Sequence, residues 1–147
     1  MNNITVAKMS EGDVLAVCKV EQTCFSVPFK EEDLRSYLEN PIWNLLVAKI
    51  DDTVVGYISY IVIGDEADLV NIAVLPEYRG KKVGQALLHE LVMDADSREL
   101  QYIHLEVRAS NRVAINLYTK YGFIPVGVSK NHYSNPTEDA IRMNLML

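Results

Sequence analysis

The run from Asn71 to Gly84 constrains the fold of this chain most, because it joins an apolar strand to an amphipathic helix through one short turn. Its sequence is Asn-Ile-Ala-Val-Leu-Pro-Glu-Tyr-Arg-Gly-Lys-Lys-Val-Gly. Pro76 stops the strand. The helix that follows carries an apolar stripe made of Gly84, Leu87, Leu88, Leu91 and Ala95. A strand followed so closely by such a helix predicts a helix packed on a sheet.

The turn between this strand and helix contains Arg79, Gly80, Lys81 and Lys82. The first N–H groups of a helix have no partner inside the helix, and the helix dipole places partial positive charge there. A pyrophosphate binds well at such a position. The turn is therefore either an anion site with added side-chain charge or a solvated connection between two elements.

Length and composition are those of one globular domain. The chain has 147 residues, of which 49% are hydrophobic and 23% charged, and a chain of this size buries one sufficient core. We predict a single, monomeric domain over residues 1–147. Its apolar stretches are too short to span a bilayer, and its N-terminus lacks the pattern of an export signal. We therefore predict a cytoplasmic protein with no membrane partner.

Charge, cysteines and histidines argue against several kinds of site. The net charge of −6 disfavours nucleic-acid binding and mildly favours a cationic partner, such as a basic peptide or a protonated amine. Cys18 and Cys24 lie on different faces of a predicted helix, so we expect reduced thiols. The histidines lack metal-ligand spacing, so we predict no metal site; they are His89, His104 and His132.

Periodicity predicts the order β-α-α-β-β-β-α-β-α-β-β, which describes a mixed sheet covered by helices. The strands are Ile4–Lys8, Trp43–Ile50, Thr53–Ile63, Ala67–Leu75, Gln101–Arg108 and, approximately, 123–129 and 140–147. We expect the hairpin turn at Asp51-Asp52. The last two strands flank a predicted polar loop with Asn131, His132, Tyr133, Asn135 and Pro136.

Four helices accompany these strands. The first begins near Ser10 and Asp13, which have capping-box spacing, and its apolar stripe carries one polar intruder, Glu21. The second spans about residues 30–39, and the third follows the basic turn. Ser110 and Asn111 cap the fourth, which ends at Gly122.

Three segments resemble the GCN5-related N-acetyltransferase (GNAT) superfamily. They are the strand–turn–helix from Ile72 to Leu88, Leu-Glu-Val-Arg-Ala-Ser-Asn at 105–111, and Ala-Ile-Asn-Leu-Tyr-Thr-Lys-Tyr-Gly-Phe at 114–123. Within the superfamily the chain is similar to bacterial ribosomal-protein-alanine N-acetyltransferases. Residues 21–28, the 105–111 segment, Tyr133 and Glu138-Asp139-Ala140 carry that similarity.

The resemblance implies an α/β (α+β) fold with a mixed central sheet of about seven strands and four helices. Two neighbouring parallel strands would splay apart and hold acetyl coenzyme A (acetyl-CoA) in the gap. The backbone of Ile72, Ala73 and Val74 would align with its acetyl and pantetheine portion, and the Val74 N–H would polarise the thioester carbonyl. The cofactor's pyrophosphate would lie on the turn made of Arg79, Gly80, Lys81, Lys82, Val83, Gly84 and Gln85.

The turn departs from the family pattern at one position. The pattern has a glycine where this chain has Lys82. Glycine would permit close backbone approach or positive φ, whereas lysine keeps the N–H but adds a side chain. We expect cofactor binding to be retained.

Acetyl transfer to an amine needs a base for the amine and a proton for the departing thiolate. By resemblance, Glu106 would be the general base and Tyr118 the general acid. Without the resemblance, Glu106 would be an exposed strand glutamate and Tyr118 a core tyrosine. Either a raised pKa at Glu106 or an intervening water would help a carboxylate deprotonate an ammonium group.

The remaining site residues also follow from the resemblance. Asn111 would hydrogen-bond the cofactor, with a helix cap as the alternative. Tyr133, His132 and Glu138 would line the peptide-accepting side, with turn residues in a polar loop as the alternative.

The resemblance implies an N-terminal protein acetyltransferase that acts on the N-terminal alanine of a small-subunit ribosomal protein by direct attack in a ternary complex. A GNAT enzyme that acetylates a small-molecule amine is the second hypothesis, because members of the superfamily divide between these substrates. A CoA-binding module without turnover is the third, and intact Glu106 and Tyr118 argue against it.

Overall fold

A seven-stranded mixed sheet runs through the protein, in a computed structural model that describes residues 3–147. Its strands lie in the order β1-β2-β3-β4-β5-β7-β6, and within the described residues only the β4–β5 pair is parallel. The strands are β1 (Ile4–Lys8), β2 (Trp43–Ile50), β3 (Thr53–Ile63), β4 (Glu66–Val74), β5 (Tyr102–Arg108), β6 (Ile124–Tyr133) and β7 (Glu138–Met146).

Four α-helices cover the two faces of this sheet, as the sequence predicts. They are α1 (Val14–Cys24), α2 (Glu31–Glu39), α3 (Val83–Ser97) and α4 (Arg112–Lys120). One core lies under α3 and α4 and includes Leu87, Leu91, Ile103 and Phe123. A second lies under α1 and α2 and includes Val17, Leu34, Val47 and Tyr57. Burying apolar side chains on both faces is what holds the helices to the sheet.

Local sequence signals set several element ends. Asp51 and Asp52 both have positive φ, which confirms the predicted β2–β3 hairpin turn. The Ser10 N–H donates to the Asp13 carboxylate at 2.9 Å, which confirms the capping-box spacing. The expected helix start is shifted, however, because a short 3₁₀ turn (Glu11–Asp13) precedes α1.

The predicted polar loop between the last two strands is shorter than expected. β6 continues to Tyr133, so Asn131, His132 and Tyr133 belong to this strand and not to the loop. The pairing of β6 with β7 shifts register between Ser129 and Tyr133. A bulge of this kind interrupts the alternation of apolar and polar residues, and so the sequence pattern ends before the strand does.

The parallel pair β4–β5 separates along its length, which confirms the splayed strands. The strands pair at Glu66–Tyr102, Ala67–Ile103 and Asp68–His104 and no further within the described residues. A register shift between β3 and β4 leaves Val70 without an opposite residue, because Ser59 faces Asn71 while Tyr60 faces Leu69. The bulge re-aims β4 beyond this point and leaves a gap beside β5.

The close approach of β3 to the end of β4 requires glycine at position 56. A Cβ at Gly56 would lie 2.7 Å from the Ala73 carbonyl oxygen and 3.3 Å from Val83 Cγ1. We expect Gly56→Ala to lower the free energy of unfolding by about 1–3 kcal/mol, because the backbone must shift. Chemical denaturation checks this against Gly12→Ala, whose Cβ would have its nearest neighbour at 3.7 Å. Equal stability of the two variants would show that the approach is not tight.

No helix among residues 3–147 is long and apolar enough to cross a membrane.

Candidate active site

The gap between β4 and β5 opens into a cavity of about 440 Å³. Its walls come from both strands, from α4, from the end of β6 and from the loop between α1 and α2, residues 25–30 (the α1–α2 loop). The cavity brings together six residues that the sequence predicts for the site, which are Ile72, Glu106, Asn111, Tyr118, His132 and Tyr133. Strands, helices and turns far apart in the chain therefore converge on one space.

The backbone of β4 faces this gap at alternate residues. The Leu75 N–H donates to the Val55 carbonyl at 2.8 Å, and the register continues as Gly56–Val74, Tyr57–Ala73 and Ile58–Ile72. Because hydrogen-bonded pairs alternate in an antiparallel ladder, Ala73 bonds to β3 while Ile72 and Val74 direct their N–H and C=O groups toward β5. The two N–H groups and the Ile72 carbonyl can therefore serve a bound ligand, while the Val74 carbonyl already accepts a hydrogen bond from Arg79.

The basic turn ends in a helix start with free donors. The N–H groups of Val83, Gly84 and Gln85 have no hydrogen-bond partner in residues 3–147, and the first bond of α3 runs from Ala86 to Lys82. Lys82 takes the left-handed conformation, with φ +68° and ψ +19°. Its side chain does not prevent the backbone conformation that glycine usually provides. The arrangement suits an anion.

The side chains of this turn point in different directions. Arg79 folds back onto the end of β4, where its Nε donates to the Val74 carbonyl at 3.0 Å. Lys81 lies over the Tyr78 ring, with Nζ 5.6 Å from the ring centroid. Lys82 and Gln85 line a separate, shallower hollow beside β1. The donors that this turn presents to an anion are therefore mainly backbone N–H groups. Gly80, with φ +77°, provides the positive-φ conformation that the turn requires.

Glu106 lies on the polar face of β5, opposite the buried Leu105 and Val107. The alternation that the sequence predicts is therefore confirmed. The carboxylate lines the cavity, is 39% exposed and lies 3.4 Å from Nδ1 of His132. An accessible carboxylate at this place can accept a proton from an amine and pass it to water.

Tyr118 reaches the same cavity from α4 with its ring buried. Its hydroxyl has no hydrogen-bond partner among residues 3–147. Burial, and then the nearby Tyr133, raise the pKa of Tyr118, so it keeps its proton at neutral pH. A buried ring with an unengaged phenol at a cavity fits a proton donor, and it also satisfies the alternative of a core tyrosine.

Asn111 caps α4 and also lines the cavity. Its side-chain oxygen accepts a hydrogen bond from the Ala114 N–H at 3.2 Å, which is the alternative role that the sequence suggests. The side-chain NH₂ group stays available for a ligand, since the cap uses only the oxygen.

Of the residues predicted for the acceptor side, Tyr133 lines the cavity, whereas the Glu138 side chain is bonded to other parts of the protein. Tyr133 lines the cavity, and burial together with the charge on Glu106 raises its pKa to about 12. The Arg108 guanidinium lies over its ring, 4.5 Å from the centroid. Glu138 instead accepts hydrogen bonds from Arg108 at 3.3 Å and from the Ser110 N–H at 2.6 Å. Glu138 therefore links Arg108 to the turn before α4, beside Tyr133 in the β6–β7 pair, and it does not line the cavity.

Sequence reasoning missed the role of two polar residues, Asn71 in the cavity wall and Glu21 behind it. Glu21, which the sequence marks as a polar residue on an apolar stripe and as the first residue of the 21–28 segment, is fully buried, and its carboxylate accepts a hydrogen bond from Asn71 Nδ2 at 2.8 Å. Burial raises the pKa of Glu21, and hydrogen bonds from Tyr57, the Phe29 N–H and Asn71 oppose that shift. A polar residue on the apolar stripe of a helix was the available signal.

The described residues hold no metal cluster and no disulfide. No group of three or more His, Cys, Asp or Glu side chains in residues 3–147 could hold a metal ion. Cys18 and Cys24 are free thiols. Burial raises the pKa of Cys24, and the nearby Arg79 offsets only part of that rise. The thiol therefore stays protonated and is a weak nucleophile at neutral pH.

Known proteins share this sequence pattern and this fold. The model of the acetyltransferase (GNAT) family matches residues 14–123. The [ribosomal protein bS18]-alanine N-acetyltransferase of Escherichia coli strain K12 is 34% identical over 143 residues, which cover 96% of each protein.

Solved structures agree with the sequence matches. The crystal structure of the ribosomal-protein-S18-alanine N-acetyltransferase from Escherichia coli gives a TM-score of 0.90 at 32% identity, covering 98% of this chain and 94% of that one. Ard1 from Thermoplasma volcanium gives 0.88 at 25% identity, covering 98% and 97%. A family match over most of the chain and a full-length relative about one-third identical establish that this protein belongs to the GNAT family of acetyltransferases.

Proposed function

We propose that this protein is an N-terminal protein acetyltransferase whose acceptor is the N-terminal alanine of a small-subunit ribosomal protein. The observation that carries the proposal is the cavity at the strand gap, which Glu106, Tyr118 and Tyr133 all line. The relative from Escherichia coli, named for the alanine of ribosomal protein bS18, supports this class of acceptor. The net charge of −6 suits a basic peptide.

Acetyl-CoA, which GNAT acetyltransferases generally use, would supply the acetyl group as a thioester. The free N–H groups of Val83, Gly84 and Gln85 would hold its pyrophosphate. The gap-facing backbone of Ile72 and Val74 would align with its pantetheine arm, and the Val74 N–H would donate to the carbonyl oxygen as it gains charge. The Asn111 amide would add a hydrogen bond.

Glu106 would accept the proton of the attacking amine, and Tyr118 would return a proton to the departing sulfur. An α-amine, with a pKa of about 8, loses its proton to a carboxylate far more easily than a lysine of about 10.4. An N-terminal acceptor therefore suits this site better than a lysine. Direct attack in a ternary complex is consistent with the weakly nucleophilic thiol of Cys24.

The proposal includes a cellular setting. We infer a monomeric enzyme of the bacterial cytoplasm, where ribosomal proteins are made, with no nucleic-acid or membrane partner.

Acetylation of short peptides tests the proposed acceptor. The protein is incubated with acetyl-CoA and either a basic peptide that begins with alanine or the same peptide with a blocked N-terminus, and the products are mapped by mass spectrometry. We expect acetyl transfer to the free α-amine and none to the blocked peptide or its lysines. Modification of both peptides at lysine would contradict the proposal.

Small amines separate the remaining hypotheses. Turnover with a polyamine but not with the alanine peptide would make this a small-molecule acetyltransferase. Tight acetyl-CoA binding without product from any amine would indicate a binding module. Incubation with an extract of a deletion strain, followed by mapping of new acetyl groups, then identifies the natural acceptor.

Replacing Lys82 with glycine tests whether this side chain takes part in cofactor binding. The left-handed conformation costs lysine about 1–2 kcal/mol, and the greater freedom of glycine in the unfolded chain offsets about 0.4–1 kcal/mol of the gain from removing this strain. We expect Lys82→Gly to keep the Kd for acetyl-CoA within about threefold, measured by calorimetry, because the backbone N–H groups remain.

The control for this substitution is Lys81→Ala, which removes a neighbouring charge without touching a left-handed position. A loss of affinity of tenfold or more in Lys82→Gly, by about 1.4 kcal/mol, would show that the Lys82 side chain binds the phosphates.

A further inference from the structure

The carboxylate of Glu21 lies under the α1–α2 loop and receives hydrogen bonds from three separate parts of the chain. Oε1 accepts from the Phe29 N–H at 2.7 Å. Oε2 accepts from Asn71 Nδ2 at 2.8 Å and from the Tyr57 hydroxyl. Glu21 is completely buried. One side chain of α1 therefore joins the loop, β3 and β4.

The α1–α2 loop depends on this carboxylate for its backbone. Over residues 26–29, the bond from the Phe29 N–H to Glu21 is the only hydrogen bond that a backbone group makes in the described part of the chain. The Phe29 ring packs edge-on against Tyr37, with centroids 5.2 Å apart, and against Trp43 at 6.3 Å. Apolar packing of the Phe29 ring and the hydrogen bond from its N–H to Glu21 together hold the loop.

The same carboxylate holds Asn71, which lines the cavity where β4 begins to leave β5. The Asn71 N–H donates to Ser59 Oγ at 3.2 Å, at the bulge between β3 and β4. Asn71 is thus fixed at its backbone by β3 and at its side chain by α1. The loop wall and the splayed strand share one anchor.

The loop held by this anchor lines the cavity, and the anchor makes no hydrogen bond to the basic turn before α3 in the described chain. The loop contributes Phe25, Ser26, Val27 and Phe29 to the wall of the cavity that Tyr133 and His132 also line. None of the residues from Gly80 to Gln85 contacts Glu21 through a hydrogen bond or an ion pair in the described chain. Loosening the anchor should therefore disturb acceptor binding more than cofactor binding.

We propose that Glu21 is a positioning residue for the acceptor, which fixes the α1–α2 loop and Asn71 as one rigid wall of the cavity. The inference rests on the proposed function, because it assigns that wall to the peptide. Without this carboxylate the buried Tyr57 hydroxyl and two partly buried donors, the Phe29 N–H and the Asn71 amide, would lose their partner, and donors left unpaired away from water are costly enough to move the loop. A rigid wall lets the acceptor amine bind without first ordering the loop.

Two matched tyrosines on β3 test this role. Tyr57 and Tyr60 are both buried, and each donates its hydroxyl to a carboxylate, Tyr57 to Glu21 and Tyr60 to Asp94. Only the first belongs to the anchor. We expect Tyr57→Phe to raise the KM for the acceptor peptide about fivefold, because Glu21 loses one of its three donors. The Kd for acetyl-CoA should stay at the wild-type value in both variants.

Tyr60→Phe should lose a similar amount of thermal stability yet keep the wild-type acceptor KM. Amide hydrogen exchange in the same proteins should be faster at Phe29 in Tyr57→Phe and unchanged there in Tyr60→Phe. Equal effects of the two variants on acceptor KM and on exchange at Phe29 would overturn the proposal, because both would then act through general stability.

Substitutions of Glu21 itself show whether the loop depends on the hydrogen-bonding shape of this side chain or on its negative charge. Glu21→Gln keeps an oxygen for the Phe29 N–H, and the Tyr57 hydroxyl and the Asn71 amide can both reorient. We therefore expect Glu21→Gln to keep acceptor KM within about threefold and Glu21→Ala to raise it about tenfold or more. If Glu21→Gln raised the acceptor KM as much as Glu21→Ala, the hydrogen-bonding shape of the side chain would not be what anchors the loop.

The experiment distinguishes failure of this inference from failure of the proposed function. If the wild-type enzyme leaves the alanine peptide unmodified, the proposed acceptor is wrong, and the exchange rate at Phe29 decides whether Glu21 anchors the loop. If the wild-type enzyme is active and Tyr57→Phe matches Tyr60→Phe in every readout, the acceptor stands and the anchor is wrong.

Discussion

Replacing Glu106 with glutamine should lower kcat for acetylation of an alanine peptide by about 100-fold or more at neutral pH, because a positioned base contributes this much to proton transfer. The side chain is 39% exposed, so stability and acetyl-CoA affinity should stay at wild-type values. Steady-state kinetics with calorimetry checks all three quantities.

The loss of kcat in Glu106→Gln should itself depend on pH. The α-amine has a pKa of about 8, so an increasing share of the peptide is already deprotonated as pH rises toward 9. The deficit of Glu106→Gln should therefore shrink with rising pH. A constant deficit from pH 6.5 to 9 would contradict the role of a base.

Glu66 supplies a matched control for Glu106. Each carboxylate lies 3.4 Å from a histidine nitrogen, Glu66 from His104 and Glu106 from His132, and both side chains are partly exposed. Glu66 lies at the start of β4 and does not line the cavity. Glu66→Gln should therefore keep wild-type kcat. A Glu106→Gln enzyme with kcat within about threefold of wild type would remove Glu106 from the chemistry.

Replacing Tyr118 with phenylalanine should also lower kcat by about 100-fold, because the departing thiolate would lose its positioned proton donor. The hydroxyl has no partner in residues 3–147, so its removal leaves no buried group unpaired and folding should be unchanged. Burial raises the pKa of Tyr118, so the wild-type enzyme should not lose this proton at any pH below 10. Full turnover by Tyr118→Phe would remove the acid role.

Tyr121 on the end of α4 is the control for Tyr118. Its hydroxyl donates to the Gln85 carbonyl at 3.3 Å, so Tyr121→Phe loses one real hydrogen bond. We expect this variant to be slightly less stable and fully active, which is the reverse of Tyr118→Phe. Differential scanning calorimetry and kinetics on both proteins separate the catalytic from the structural contribution.

The sequence by itself determined the order of elements and the position of the basic turn before α3. Both depend on neighbouring residues: alternation along β5 buries Leu105 and Val107, the stripe of α3 buries Leu87 and Leu91, and the turn precedes a helix start. Local periodicity records which side of an element faces the core, because only that side must be apolar. The family pattern then pointed to Glu106 and Tyr118, which do share the cavity.

The tertiary structure alone decided how those elements form a site. Three features of the site depend on contacts between residues far apart in the chain. They are the β3–β4 bulge at Ser59, the extension of β6 along β7, and the ion pair of Glu138 with Arg108. Glu21 shows the reason most clearly. On its own helix it is a charge on an apolar stripe, and only the packing of the loop, β3 and β4 supplies the three donors that make its burial tolerable. A single sequence shows which residues prefer burial, but the partners that satisfy a buried polar group are chosen by contacts across the fold.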